Sequence, residues 1–129
     1  MKRRLYQLDV FTNTPFAGNS LAVVIDGDGL TSRRMLDIAR EMNLSETVFV
    51  QQPTNAKALA RLRIFTTQNE LRLAGHPVIG TWFLLAQLGV SLLKQRNLCR
   101  ACDILFGPAI ISVAAKFLIA VFDCDCHSS

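Results

Sequence analysis

The first part of the chain alternates short apolar segments with one amphipathic helix. Residues 5–12 alternate polar and apolar side chains, which predicts a strand that ends at the turn Asn13-Thr14-Pro15. The apolar run 21–25 predicts a second strand, buried on both faces. Residues 31–42 predict a helix, because apolar side chains recur on one face and Thr31 is a suitable N-cap.

The pattern continues with three more strands and a second helix. The strands are predicted at residues 47–50, 61–66 and 71–73, with a polar surface loop at 53–60. The helix is predicted from Pro77 to about Leu88, since proline suits the first helical position and Gly89 can end a helix. This helix is apolar nearly all round, which predicts a buried, central position.

One polar corner lies where the first helix gives way to the third strand, in Asn43-Leu44-Ser45-Glu46. Asn43 tolerates the left-handed conformation of a helix end, so Glu46 stands at the head of the apolar strand. A carboxylate at such an edge is partly desolvated, and a desolvated carboxylate exchanges protons more readily near neutral pH. Glu46 is therefore a candidate acid/base, and a solvated glutamate at a helix end is the alternative.

A second polar corner, Ala74-Gly75-His76-Pro77, opens the second helix. Exposed N–H groups and the helix dipole favour an anion at such a position, and small residues let a ligand approach the backbone. The corner is therefore a candidate site for a carboxylate or phosphate. A structural turn with a solvated histidine is the alternative.

Length and charge limit the class of protein. The chain has 129 residues, 50% of them hydrophobic and 19% charged, with a net charge of +4. These values predict one domain that is well buried or depends on a partner, and not a disordered chain. The basic residues are scattered apart from Lys2-Arg3-Arg4 and lack the interleaved aromatic residues of a nucleic-acid surface. No nucleic-acid partner is predicted.

No membrane association is predicted, and the expected location is the cytoplasm. Gln7 and Asp9 interrupt what would be the apolar region of a signal peptide. The most apolar run, residues 109–122, contains Lys116 and is shorter than the roughly 20 residues that a spanning helix needs. This run is expected to be a core or interface strand.

The four cysteines all follow residue 98, which is unlike a disulfide-linked secreted domain, so reduced thiols are expected. A zinc site is an alternative, because Cys99-Arg100-Ala101-Cys102 and Cys124-Asp125-Cys126-His127 offer thiolates and an imidazole. The one-residue spacing of the second pair departs from the usual pattern. No metal is therefore included in the predicted site.

Five separated blocks, in order, resemble the PhzF family of phenazine biosynthesis-like proteins, over about residues 5 to 90. The blocks are Asp9-Val10-Phe11-Thr12 with Pro15-Phe16-Ala17-Gly18-Asn19, Leu21-Ala22-Val23-Val24, Ala39-Arg40-Glu41-Met42-Asn43-Leu44-Ser45-Glu46-Thr47, Arg63-Ile64-Phe65-Thr66, and Ala74-Gly75-His76-Pro77 with Gly80-Thr81. The resemblance implies an α+β fold related to diaminopimelate epimerase. Each half of that fold is a mixed sheet around a central helix, with the active site between the halves.

The resemblance also implies a chemistry. Glu46 corresponds to the glutamate that moves a proton between carbons of a small carboxylate substrate, without a cofactor. Gly75 and His76 line the same site as substrate-binding or proton-transfer partners, and Asn19 and Ser45 are implied as further substrate-binding residues. Thr67, Leu73 and Val78 replace the family's usual proline, phenylalanine and threonine.

The family pattern is not found after about residue 90. The expected organisation is therefore a PhzF-like half-domain at residues 1–90 and a divergent tail at 91–129 that packs on it or extends it. The Asp-Pro-Ala-Thr-Gly-Ser block of the family's second half is not found either, so a truncated member with one side of the cleft is expected. A non-catalytic half-domain that binds a partner or forms a homodimer is the alternative function.

Overall fold

In the part of the chain that the structure describes, a six-stranded mixed sheet has one helix against each face. The computed structural model describes residues 2–56 and 58–89, and the backbone of 122–127. In chain order the elements are β1 (Lys2–Val10), β2 (Asn19–Val24), α1 (Ser32–Met42), β3 (Glu46–Gln51), β4 (Arg61–Phe65), β5 (Glu70–Leu71), α2 (Gly75–Gln87) and β6 (Phe122–His127). The spatial order is β5-β4-β3-β2-β1-β6. β2 and β3 are parallel, and the other neighbours are antiparallel.

Alternation along the strands separates two apolar clusters. On one face, Leu21 and Val23 of β2 pack with Val48 of β3 and with Leu84 and Leu85 of α2. On the other face, the intervening side chains contact α1; they include Leu5, Val24, Phe49 and Phe65, with Met35 and Ala39 from the helix. Because successive side chains of a strand point to opposite faces, the central strands supply both cores at once.

The predicted α1 is confirmed at both ends. The Thr31 hydroxyl accepts a hydrogen bond from the backbone N–H of Arg34 at 3.2 Å, as expected of an N-cap. Asn43 adopts the left-handed conformation, with φ 51, and its N–H donates to the carbonyl of Ala39. The local sequence was sufficient here because both caps act on the backbone next to them.

Several predicted strand limits are wrong. β1 runs from Lys2 to Val10 rather than over 5–12, because its first residues pair with β6 and Phe11 turns to φ 65. β2 begins at Asn19, opposite Val10, and not at residue 21. The short strand expected at 71–73 lies at Glu70–Leu71, where it pairs with the end of β4.

The start of α2 also differs from the prediction. Ala74 is the N-cap and Gly75 the first helical residue, so Pro77 is the third residue and not the first. Proline is tolerated there because the first N–H groups of a helix have no acceptor within the helix. His76 therefore lies in the first helical turn. Gly89, with φ 79, follows the helix as predicted.

Burial of α2 is one-sided among the described residues. Pro77, Gly80, Thr81, Leu84 and Leu85 are buried against the sheet, whereas the last turn is exposed, with Leu88 at 42%. The prediction of burial all round is wrong for that turn. A Cβ atom on Gly80 would lie 2.7 Å from Val10 Cγ2 and 2.8 Å from Leu21 Cδ2. Gly80 thus lets α2 approach β1 and β2 closely.

Part of the tail joins the sheet as β6, which pairs antiparallel with β1 in the register Arg4 opposite Asp125. The predicted apolar strand at 109–122 lies outside the described residues except for Phe122, the first residue of β6. Cys99 and Cys102 also lie outside them. The division into 1–90 and 91–129 stays a prediction.

Candidate active site

Six chain segments meet at one end of the sheet, where β2 and β3 begin. β1 ends there opposite Asn19, α1 ends at Met42 just before β3, and β4 ends at Phe65 opposite Thr47. The first turn of α2 carries His76 to the same end, where His76 contacts Glu46. This convergence is a consequence of the parallel β2–β3 pair, since parallel strands begin at the same sheet edge.

Glu46 and His76 form a close, buried pair. Glu46 Oε2 and His76 Nε2 are 3.2 Å apart, and the two side chains are only 18% and 15% exposed. Both atoms are buried, yet neither makes a well-aligned hydrogen bond with another group among the described residues. Unsatisfied buried polar atoms are uncommon and costly, and they call for an explanation. The pair is placed to take up a further hydrogen-bonding or proton-exchanging partner.

The face of the sheet explains why these two side chains meet. In the parallel register Glu46 lies opposite Leu21, a member of the α2-side core, so Glu46 faces α2. Its neighbour Thr47 faces the other side, where its hydroxyl is buried and has no hydrogen-bond partner within the described part of the chain. Of these two β3 residues, only Glu46 therefore lies on the face where it can contact His76.

The first turn of α2 has free donors beside the pair. Ala74 offers no side-chain cap, and Pro77 has no N–H group. The N–H groups of Gly75 and His76 therefore point out of the helix end without an acceptor in the helix. Thr81 fixes this turn, since its buried hydroxyl donates to the carbonyl of Pro77 at 2.7 Å.

The other predicted site residues, Asn19, Ser45 and Gly75, lie at the same edge of the sheet. Asn19 begins β2 on the α2 face, two residues before Leu21, which is opposite Glu46. Ser45 directly precedes Glu46 and is exposed, as are Asn19 and Gly75. The structure thus brings Glu46 and His76 into contact, with Ser45 and Gly75 next to them in the chain and Asn19 at the same edge of the sheet.

Sequence reasoning missed the role of Asp9, which is only 5% exposed. Its carboxylate accepts the backbone N–H of Phe16 at 2.6 Å and the hydroxyl of Ser20 at 3.4 Å. Aspartate is depleted from strands, so an aspartate inside β1 beside a turn was an available signal. Its partners lie seven and eleven residues away, however, and spacing alone does not identify them.

The described residues hold no group of three or more His, Cys, Asp or Glu side chains that could bind a metal ion. Of the residues in the alternative zinc site, Cys124, Cys126 and His127 belong to β6, which is described for its backbone only. In the described part of the chain, no helix has both the length and the apolar character needed to cross a bilayer.

A family model for phenazine biosynthesis-like proteins, named PhzC-PhzF, matches residues 8–104. The chain belongs to this family. The resemblance found in the five sequence blocks is confirmed, and so is the α+β fold class with its mixed sheet.

Relatives and solved structures agree with the family. Antisense-enhancing sequence 1 of Schizosaccharomyces pombe is 48% identical over 96 residues, covering 74% of this chain and 32% of the relative. A trans-2,3-dihydro-3-hydroxyanthranilate isomerase of Pseudomonas aeruginosa is 50% identical over 78 residues, covering 60% and 28%. A PhzF-family phenazine biosynthesis protein from Bacillus anthracis superposes with a TM-score of 0.64 at 37% identity, covering 70% and 29%.

This chain spans about a third or less of each of these proteins. The similarity therefore concerns only the part of each relative that this chain covers. The activities in the relatives' names belong to the whole relatives.

Proposed function

We propose that this chain carries the acid/base side of a PhzF-type isomerase site, in which Glu46 moves a proton between carbons of a small carboxylate substrate. The observation that carries the proposal is the buried 3.2 Å contact between Glu46 Oε2 and His76 Nε2 at a sheet end built from the family's sequence blocks. Homologous trans-2,3-dihydro-3-hydroxyanthranilate isomerases support this reaction class.

The reaction is a redox-neutral proton shift. The Glu46 carboxylate takes a proton from a carbon conjugated to the substrate's carboxylate, breaking one C–H bond. The electron pair delocalises toward the carboxylate, and the protonated Glu46 then returns the proton to another carbon of the conjugated system. Because protons and electrons balance within the substrate, the step calls for no cofactor. His76, in contact with Glu46, is placed to hydrogen-bond the carboxyl group in either protonation state.

The substrate's carboxylate would bind at the first turn of α2. The N–H groups of Gly75 and His76 are two adjacent donors, and a carboxylate offers two acceptor oxygens. As charge builds on the carboxylate during proton removal, these donors and the helix dipole stabilise it most. The exposed Asn19 and Ser45 complete the polar edge.

The proposal is tested by exchange of solvent deuterium into trans-2,3-dihydro-3-hydroxyanthranilate, followed by mass spectrometry or NMR. The wild-type chain is expected to catalyse exchange, and Glu46→Gln is expected to lower its rate by a factor of about 100 or more, since glutamine cannot accept the proton. Glu41→Gln, an exposed glutamate of α1, is the matched control and should keep the wild-type rate.

Two outcomes contradict the proposal. If the wild-type chain gives no exchange, it is not an isomerase of this substrate class by itself. If Glu46→Gln and Glu41→Gln exchange equally fast, another group moves the proton.

A second candidate function is a binding half-domain that associates with a second copy of itself. Exposed apolar side chains favour it, since Phe16 is 83% and Leu73 58% exposed, and both adjoin the sheet end described above. Sedimentation equilibrium at rising concentration tests it. A dimer that dissociates on Phe16→Asp supports this function, and a monomer at all concentrations rejects it.

A further inference from the structure

The loop between β1 and β2, residues 11–18, is hydrogen-bonded to the buried carboxylate of Asp9. Asp9 accepts the N–H of Phe16 at 2.6 Å and the hydroxyl of Ser20 at 3.4 Å, so one side chain ties the loop to the start of β2. A hydrogen bond to an ionised acceptor is among the stronger ones that a protein makes. Asp9 is buried, so little water competes for its oxygens.

The loop needs such a restraint because its backbone is unfavourable. Phe11 and Phe16 both have positive φ, at 65 and 67, a region that bulky residues rarely adopt. Both side chains are also largely exposed, at 46% and 83%, so core packing does not explain the conformation. Backbone strain persists only where the surroundings enforce it. The hydrogen bond from the Phe16 N–H to Asp9 is a contact that restrains the loop at Phe16.

The restrained loop delivers Asn19 to the candidate site. Asn19 begins β2 opposite Val10, on the face that carries Glu46. Asn19 precedes Leu21 by two residues, or about 7 Å along the strand, and Leu21 is the residue opposite Glu46. Asp9 binds residues on both sides of Asn19, namely Phe16 and Ser20. The position of Asn19 relative to Glu46 therefore depends on these two hydrogen bonds, which we call the Asp9 clamp.

We propose that Asp9 is a positioning residue that fixes Asn19 at the substrate-binding edge through the 11–18 loop. The inference rests on the proposed function for the role of that edge. Asp9 itself does not touch substrate; it acts through the Phe16 N–H and the Ser20 hydroxyl. Asparagine at this position retains one acceptor for Phe16 and a donor for the Ser20 hydroxyl, so geometry and not charge is required.

The clamp is measured first without ligand, by NMR of the full chain. In the wild type, a scalar coupling across the hydrogen bond should connect the Phe16 amide nitrogen with the Asp9 carboxyl carbon. Asp9→Ala should speed hydrogen exchange of the Phe16 amide by at least about tenfold more than that of the core amide of Val23. The side-chain amide signals of Asn19 should shift as well, while Asp37→Ala, at a partly exposed site on α1, should change neither.

The link to the site is measured with 3-hydroxyanthranilate, a stable aromatic carboxylate, as the binding probe. Asp9→Ala should weaken its binding about tenfold, Asp9→Asn less than about threefold, and Asp9→Ala in an Asn19→Ala background less than about twofold further. A purely structural role would lower stability without this coupling to Asn19 and without rescue by asparagine.

The outcomes separate the two proposals. Absence of the scalar coupling, an unchanged Phe16 amide in Asp9→Ala, or equal losses of probe affinity with and without Asn19 would overturn the role of Asp9. If Asp9→Ala does not fold, the wild-type coupling and the affinity of Asp9→Asn decide it, and a tenfold loss in Asp9→Asn overturns it. If the wild-type chain binds no probe, the proposed substrate class fails, while the Phe16 and Asn19 signals still decide the clamp.

Discussion

The two helices begin in opposite ways. At α1 the Thr31 hydroxyl caps the N–H of Arg34, and the Ser32 hydroxyl accepts from Arg63 Nη2 at 2.8 Å. At α2, Ala74 provides no cap and Pro77 removes a donor, while the buried Glu46–His76 pair lies alongside. A helix end satisfied by its own chain serves stability, whereas one left with free donors beside unsatisfied polar atoms is available to a ligand.

The largest expected loss of stability comes from a substitution that pushes α2 away from the sheet. Gly80→Leu would place side-chain atoms where Val10 and Leu21 already lie, so the free energy of unfolding should fall by about 1 to 3 kcal/mol. The contact between Glu46 and His76 should be lost too. Denaturant unfolding measures the first effect and NMR of the His76 ring the second.

Ala86→Leu, on the exposed last turn of the same helix, is the matched control and should change the free energy of unfolding little. If the two leucine variants unfold alike, the close approach at Gly80 does not position α2.

The two helix ends themselves are expected to respond oppositely to a change of cap. Thr31→Ala removes the cap of α1 and should lower the free energy of unfolding by about 1 kcal/mol. Ala74→Ser should stabilise by less than about 0.5 kcal/mol, because only the His76 N–H remains for its hydroxyl, Pro77 having none. It should also weaken 3-hydroxyanthranilate binding, since the hydroxyl competes with the carboxylate.

Thermal unfolding and a binding titration measure both variants, with Ala86→Ser as the control for adding a hydroxyl to α2. If Ala74→Ser raised the free energy of unfolding by about 1 kcal/mol, as a usual helix cap does, and left the affinity for 3-hydroxyanthranilate unchanged, the start of α2 would not be a ligand site.

A further effect, smaller than that of Gly80→Leu, concerns the ion pair between Arg63 and Glu70, since Arg63 also contacts Ser32 at the start of α1. Arg63 hydrogen-bonds and attracts Glu70, and this holds the pKa of that carboxyl below its ordinary value of 4.5. A depressed folded-state pKa adds stability above the unfolded pKa that is lost as the pH falls through the folded value. Glu70→Gln should therefore destabilise at pH 7 by no more than about 1 kcal/mol, as for exposed pairs, and converge with the wild type in acid.

Chemical denaturation between pH 7 and pH 3 measures this difference. Glu41→Gln, at an exposed glutamate of α1, is the control. A difference that grows in acid would contradict the assigned ion pair.

Sequence alone determined the elements whose causes are local. The α1 caps Thr31 and Asn43 act within four residues, so spacing identified both ends of that helix. The apolar run of β2 required a central strand, and Leu21 to Val24 are indeed almost completely buried. The sequence blocks likewise identified the family, because their order along the chain is itself a sequence property.

Only the tertiary structure decided where α2 starts, how β1 is bounded and which carboxylates are buried. Pro77 is the third helical residue because α2 begins at Gly75, with His76 of its first turn in contact with Glu46. β1 starts at Lys2 because its first residues pair with β6. Glu46 and His76 are 30 positions apart in the sequence, and their 3.2 Å contact depends on the parallel pairing of β2 with β3 and the close seat of α2 at Gly80. The sequence identified Glu46 and His76 as candidates, and packing between distant segments brought them into contact.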